Sequence, residues 1–384
     1  MNVLIVASRH PWPAYSGDRL RTTVWIEALA PHASVSLVAP ASPLEDSTSR
    51  RDHLRVYPAK RSLLQGLRAI GRIAREKLPW QTLLAAPYQW EEAIGRAIRE
   101  RGPFDATIVV LSRVEPWVQS FLPEGPRFLD AIDSLARNMH ERARAASPLT
   151  RWIWRGEERR TSATERAGAG AYEHVLFVSD EEAAACGPRG VAITNGVTVR
   201  PLDEERGRCY DFGFWGRLAY FANADAARWL VGEIWPAIRA LEPSATLVLA
   251  GANAPGWLRR AAHRQPGITI LSPVSDMPSL ARDVRVAVLP LRYGSGESTK
   301  MLEAAEAGCA VVSTARGVRS LGALAPHAVL AEDADAIARA AVALLHDRQA
   351  GAMLRRTLRR IVVQHYSREI TLDRLAALLR REAA

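Results

Sequence analysis

The sequence predicts an α/β protein made of two Rossmann-like domains, each a doubly wound parallel sheet, facing a central cleft. Three observations predict it. Short apolar, β-branched runs alternate with stretches of helical period along most of the chain. The alternation lapses once, over TVRPLDEERGRCY (198–210), and then restarts. And 384 residues exceed the ~250 at which a single core usually stops growing.

The elements follow in order. NVLIVA (2–7) is apolar throughout, as a parallel strand covered on both faces must be. A loop rich in Pro, Tyr, Ser and Gly comes next, then a helix from about Asp18 to Ala30. SVSLVAP (34–40), ATIVVLS (106–112), RFLDAI (127–132) and HVLFVSD (174–180) repeat the strand pattern with helical stretches between them, which predicts right-handed βαβ units. Past the lapse come DFGFWG (211–216), ATLVLAG (245–251), GITIL (267–271), VRVAVLPL (284–291), CAVVST (309–314) and AVLAE (328–332). Helices are expected at 223–241, 297–307, 334–347 and 349–363. The closing REITLDRLAALLRREAA is one amphipathic helix. The expected domains are 1–200 and 201–363, with 364–384 packing back on the first. In such sheets ligands sit beyond the carboxyl ends of the strands.

Hydrophobic residues at 48% and charged residues at 24% are an ordinary globular balance. The net charge of +10 favours anionic partners. No DNA- or RNA-binding motif accompanies it, so a nucleic-acid partner is not expected; oligomeric state is left open. Cys186, Cys209 and Cys309 form neither a CxxC pair nor a Cys/His cluster, which argues against a disulfide framework or a zinc site and for a reducing, cytoplasmic setting. The first apolar run is short and lacks a basic flank, and no apolar stretch approaches ~18 residues, so neither a signal peptide nor a membrane span is expected. KRSLLQGLRAIGRIAREKLPW (60–80) sets Leu63, Leu67, Ile70 and Ile73 on one stripe and Arg68, Arg72 and Arg75 on another. Such a helix either covers its own domain's core or lies on the anionic inner face of a membrane.

The stretch RYGSGESTKMLEAAEAGCAVVST (292–314) carries the chemistry. A buried strand ends near Leu291, Gly294-Ser295-Gly296 turns the chain, and a helix starts near Glu297 or Ser298 and ends at Gly308. The first turn of a helix leaves backbone N–H groups unpaired at a partly positive end, and glycines let an anion approach closely. Lys300 adds a full charge, and Glu303 can accept from the vicinal hydroxyls of a ribose. The bland alternative is a surface Lys/Glu pair after an ordinary turn. The loop is neither a Walker A sequence nor a dinucleotide fingerprint. The one DxD sequence, Asp333-Ala-Asp335, starts a predicted helix and reads as an N-cap with a first-turn acid.

In order and spacing, KMLEAAEAGCAVV, HPWPAYSGDRLRTTVWIEALA, AITNGV and the run from DFGFWG to ATLVLAG resemble the retaining glycosyltransferases of family 4, which have the GT-B fold, and most of all the sugar transferases of bacterial exopolysaccharide clusters. The resemblance implies a hexosyltransferase-type activity that moves a sugar from a UDP- or GDP-linked donor to a hydroxyl acceptor, with no metal and no cofactor. By it, Glu303 holds the ribose, and backbone at Ser298 and Thr299, in the loop of Ser295, Gly296 and Glu297, meets the diphosphate. Arg217 and Lys300 neutralise the leaving group, Gly17 approaches it from the first domain, and Pro273 and Val274 line the base. The weaker candidates are His10, Asp130 and Asp133 for acid/base work and Arg19 and Arg21 for the acceptor, each with a structural alternative. Two positions depart from the family. Its paired glutamate eight residues before the ribose one is Ser295 here, with Glu297 nearby, and the stretch GRLAYFANADAAR, with Arg217 near its start, lacks the family's lysine, a charge that Lys300 can supply. The rival readings are an epimerase or sugar-phosphate synthase on the same fold, and a nucleotide-sugar-binding protein with weakened catalysis.

Overall fold

The structure, a computed structural model, describes residues 1–14, 16–42, 52–203, 207–294 and 299–382. The chain divides into two compact units: Met1–Asn195 with the residues from Thr371 on, and Gly196–Ile370.

In the first unit, β1 (Asn2–Ala7), β2 (Ser34–Pro40), β3 (Leu54–Ala59), β4 (Ala106–Val110), β5 (Arg127–Ile132), β6 (His174–Phe177) and β7 (Gly190–Ala192) form a seven-stranded sheet in the order β3-β2-β1-β4-β5-β6-β7. All its pairings are parallel. Successive side chains of β1 serve opposite faces. Val3, Ile5 and Ala7 join the layer of helix Gly17–Leu29, while Leu4 and Val6 join that of helix Trp90–Arg101. Helix Arg368–Glu382 returns to the first unit through Leu375 and Leu379, both wholly buried in its core.

Two strands of this sheet are not predicted, and both are edges. β3 is buried only at Leu54, Tyr57 and Ala59 and contains Pro58, which is tolerated where one side of the strand has no partner. β7 is three partly exposed residues long. Helix Leu63–Glu76 buries Ala69 and Ile73 and leaves Leu63, Leu67 and Ile70 exposed. Ile73 therefore leaves the stripe the sequence gives it, and the other three residues do not cover the core.

In the second unit, β8 (Tyr210–Trp215), β9 (Leu247–Ala250), β10 (Ile268–Leu271), β11 (Val284–Leu289), β12 (Ala310–Ser313) and β13 (Val329–Leu330) form a six-stranded sheet in the order β10-β9-β8-β11-β12-β13, again parallel. The helix expected over 223–241 runs from Phe221 to Leu241 with a π turn at Leu230–Ile234. Pro236, just beyond that turn, has no N–H for the preceding carbonyls, and the wider turn absorbs the misfit. In each sheet the order of strands reverses once, between β1 and β4 and between β8 and β11. Crossovers leave in opposite directions there and open a crevice past the carboxyl ends.

Candidate functional site

Of the second unit's candidates, Arg217, Lys300 and Glu303 gather at its reversal point. β8 ends at Trp215, and the chain turns at Gly216 with φ 135°. Trp215 Nε1 donates to Glu303 Oε2 at 2.8 Å. A Cβ on Gly216 would lie 2.7 Å from Lys300 Cε, so the lysine stem occupies the space that only glycine leaves free. Two consecutive residues at the end of one strand thus fix two residues one turn apart on helix Thr299–Glu306. Gly251, with φ 132°, closes the packing at the end of β9, where a Cβ would stand 1.9 Å from the Gly216 carbonyl oxygen.

Arg217 is exposed, and its guanidinium has no partner among the described residues. Its carbonyl accepts from the buried Asn223 Nδ2 at 2.9 Å and from the Tyr220 N–H at 2.9 Å, which fixes the backbone while leaving the side chain available. Lys300 and Glu303 are partly buried. Burial pulls the Lys300 ammonium below its ordinary value, opposed by the Glu303 carboxylate. Burial pushes the Glu303 carboxyl up, opposed by the Trp215 hydrogen bond and by Lys300. A partly desolvated cation and carboxylate on one helix face are suited to an anionic group and a hydroxyl pair on one ligand.

Arg292, at the start of the glycine loop, clamps Asp225 with two bonds of 2.9 and 2.8 Å and stacks 4.9 Å from the Trp229 ring. It anchors the entry to that loop and is not a free cation. Glu306 is also structural: buried, it accepts from Arg282 at 3.1 Å, Arg359 at 3.3 Å and the Arg200 N–H at 2.9 Å, which ties the helix to the start of the unit. Asp333 caps its helix, accepting from the Ala336 N–H at 2.7 Å. Ser295, Gly296, Glu297 and Ser298 lie outside the described residues; Thr299 opens the described part of the helix. Pro273 is exposed and Val274 half-buried just past β10, where Ser272 Oγ accepts from the Ala254 N–H at 3.1 Å.

In the first unit, His10 is buried. Its Nδ1 lies 3.2 Å from the Trp12 carbonyl oxygen, and Nε2 is without a partner among the described residues. Gly17 is exposed, and a Cβ there would meet nothing within 4 Å, so a ligand can approach its backbone. Arg19 donates to the Pro13 carbonyl at 3.1 Å. Arg21 departs from expectation. It is wholly buried, paired with Asp130 at 2.6 Å and bonded to the Thr194 carbonyl at 3.0 Å, so it is a core ion pair and does not present itself to an acceptor. Asp130 is buried with it and also accepts from Trp25 Nε1 at 2.6 Å.

Leu111 at the end of β4 and Ile132 at the end of β5 have φ of 80° and 68°. Neither residue adopts that region without strain, and strain of this kind collects at functional sites. Each immediately precedes a turn with polar residues: Ser112 and Arg113 in one, the candidate Asp133 in the other. Burial lowers the Arg113 guanidinium from its ordinary value, with Arg9 adding to the effect and Asp18 and Asp133 opposing it. Arg113 belongs to no motif; the neighbouring φ and its burial reveal it.

Residues 209–347 match the family model for glycosyl transferases group 1. No curated protein matches the chain. Among solved structures, sucrose-phosphate synthase from Thermosynechococcus elongatus aligns with a TM-score of 0.73 at 16% identity, covering 99% of this chain and 98% of that one. HepE of Anabaena, solved with UDP-glucose, gives 0.68 at 14% identity over 99% and 100% of the two chains. A UDP-forming trehalose-phosphate synthase from Burkholderia xenovorans gives 0.69 at 13% identity over 100% and 99%. At such identities the likeness is one of fold, the two-sheet GT-B fold.

Proposed function

We propose that this chain, a glycosyltransferase by its group 1 domain and its GT-B fold, is a retaining, metal-independent hexosyltransferase that takes a UDP- or GDP-linked sugar and transfers the sugar to a hydroxyl acceptor. The observation that carries the reading is the Trp215–Glu303 bond beside Gly216 and Lys300, with the exposed Arg217 one residue on. HepE, solved with UDP-glucose, favours uridine as the base.

Glu303 takes the ribose hydroxyls, and the backbone near Thr299 takes the diphosphate. As the glycosidic bond to the donor breaks, negative charge grows on the leaving phosphate while the sugar acquires oxocarbenium character. Arg217 and Lys300 are set where that charge develops, so they bind the transition state more strongly than the ground state. Pro273 and Val274 flank the base. Gly17 offers its backbone to the diphosphate, His10 and Asp133 are the acid/base candidates, and Arg19 is the cation for the acceptor. The acceptor is a glycan, a lipid-linked sugar or a small glycoside, used in the cytoplasm, with peripheral contact to an anionic membrane surface.

A thermal-shift panel of nucleotides and nucleotide sugars tests the donor, since a ligand that binds the folded state raises its stability by mass action. The matching donor raises Tm, and Arg217→Ala and Glu303→Ala each abolish the shift. Unchanged shifts in both variants would remove the assignment. Transfer that persists in chelator and gives product of the donor's anomeric configuration completes the test. Turnover of donor without acceptor would instead favour an epimerase, and binding without turnover a weakened enzyme.

A further inference from the structure

Helix Leu63–Glu76 presents the wrong face to its own domain for an ordinary surface helix. Leu63 is 83% exposed, Leu64 68%, Leu67 68% and Ile70 60%. The short helix Trp80–Leu84 that follows continues the surface, with Trp80 50% and Leu84 57% exposed. Single exposed leucines are normal, but a contiguous run on one helix and the next turn is not. The buried residues of the long helix are Ala69 and Ile73, on the side away from that run.

The surroundings say what covers this face. Lys60, Arg61, Arg68, Arg72, Arg75 and Lys77 stand against one acid, Glu76. On a helical wheel Arg68 and Arg75 border the apolar arc on one side, and Lys77 caps the end of the helix. Arg160 stacks 5.7 Å from the Trp80 ring, and Gln81 Nε2 reaches Thr161 at 3.3 Å, so helix Pro148–Ala169 braces the turn from behind. A self-complementary contact between two copies would bring these cations against their own counterparts. An anionic leaflet matches both features: apolar side chains enter the acyl boundary, tryptophan sits at headgroup level, and arginine and lysine stems reach the phosphates. Among the described residues no helix is long and apolar enough to cross a membrane, so attachment would be peripheral.

We propose that helix Leu63–Glu76 and the turn Trp80–Leu84 form a docking surface for an anionic lipid bilayer. This deepens the membrane contact included in the proposed function and does not depend on the transfer chemistry. It places the acceptor-binding unit on the leaflet and favours a lipid-linked acceptor over a freely diffusing one.

Co-sedimentation of the full chain with vesicles decides the matter. The protein pellets with vesicles of mixed phosphatidylcholine and phosphatidylglycerol, and about tenfold less with phosphatidylcholine alone. The triple variant Leu63→Ser, Leu67→Ser, Ile70→Ser loses the binding at any salt concentration. The variant Arg68→Gln, Arg75→Gln loses most of it and shows a weaker salt dependence. All three apolar side chains are exposed, so the triple variant keeps the wild-type Tm and the wild-type response to a donor nucleotide sugar. No binding by the wild type, or equal binding by the triple variant, overturns the proposal while leaving the donor reading intact. A concentration-dependent dimer abolished by the same triple variant overturns it in favour of a second copy.

Discussion

Trp215 Nε1 holds Glu303 Oε2 at 2.8 Å. The bond joins the end of β8 to the helix after β11, and it orients a carboxyl that burial already pushes toward its neutral form. Trp215→Phe removes the donor and leaves an aromatic filler in the core. Losing a hydrogen bond to a charged group costs about 1.5–3 kcal/mol. A nucleotide sugar should therefore bind roughly ten- to hundredfold more weakly to Trp215→Phe, with little change in a ligand that lacks the ribose hydroxyls. Titration calorimetry with the intact and the dideoxy nucleotide separates the two; equal loss for both would mean that the tryptophan acts through packing alone.

Gly216 and Gly251 make opposite demands on a methyl group. At Gly251 the obstacle is the Gly216 carbonyl at 1.9 Å, which is backbone and cannot step aside. At Gly216 it is the far end of the Lys300 stem at 2.7 Å. Both glycines have φ near 130°, which costs any other residue on the order of 1–2 kcal/mol. Gly251→Ala should unfold the second unit or lower its stability by several kcal/mol, as seen by urea denaturation. Gly216→Ala should be the milder change in stability and the more harmful one to transfer, because it displaces the lysine. A Gly216→Ala enzyme with wild-type kcat would contradict this.

The fold was legible because parallel strands buried on both faces announce themselves as unbroken apolar runs. β1 and β4 read this way, β8 and β11 do so past a single charged residue near their starts, Asp211 and Arg285, and these four strands flank the two reversal points. What escaped is what tertiary context decides. β3 breaks its apolar run with Arg55 and Pro58 because it is an edge. The exposure of Leu67 and Ile70 could not be read from their spacing, since an apolar stripe is the same sequence whether it faces a core or a leaflet. At the site, Lys300 and Glu303 were visible from their place after a glycine loop. Arg292 and Glu306 look equally chemical in sequence, yet partners far along the chain, Asp225 and Arg359, make them anchors.

Arg21 was one residue in a helix rich in polar groups, and only the fold shows it wholly buried against Asp130 at 2.6 Å. Removing one partner of a buried pair leaves the other charge uncompensated, at a cost of about 3–5 kcal/mol. Arg21→Met should destabilise the first unit by that amount in urea titrations. The double variant Arg21→Met, Asp130→Leu should recover part of the loss, since the uncompensated carboxylate is gone. If Arg21→Met instead kept full stability and raised only the KM for acceptor, the residue would belong to the acceptor site after all.

Three desolvated carboxyls in the first unit give it a pH dependence of unusual sign. Burial raises Glu182 from 4.5 to about 8, Glu165 to about 7 and Glu115 to about 7. In the unfolded chain each ionises near its ordinary value. Their protonated forms are therefore favoured by folding, and that contribution is complete below the ordinary value and lost as pH rises through the folded one. Between about pH 5 and pH 8 the first unit should lose stability, where many proteins hold a plateau. Glu182→Gln keeps the shape and removes the proton. Each tenfold difference in proton affinity between the folded and unfolded chain is worth ~1.4 kcal/mol. With some relaxation of the site, Glu182→Gln at about pH 8.5 should be more stable than the wild type by about 2–4 kcal/mol. Glu165 and Asp133 each add repulsion at Glu182. The gain from Glu182→Gln, Glu165→Gln should therefore fall short of the sum of the single gains. Melting temperatures of the four proteins across this range measure both effects, and parallel curves for the wild type and Glu182→Gln would show that Glu182 does not take up its proton on folding.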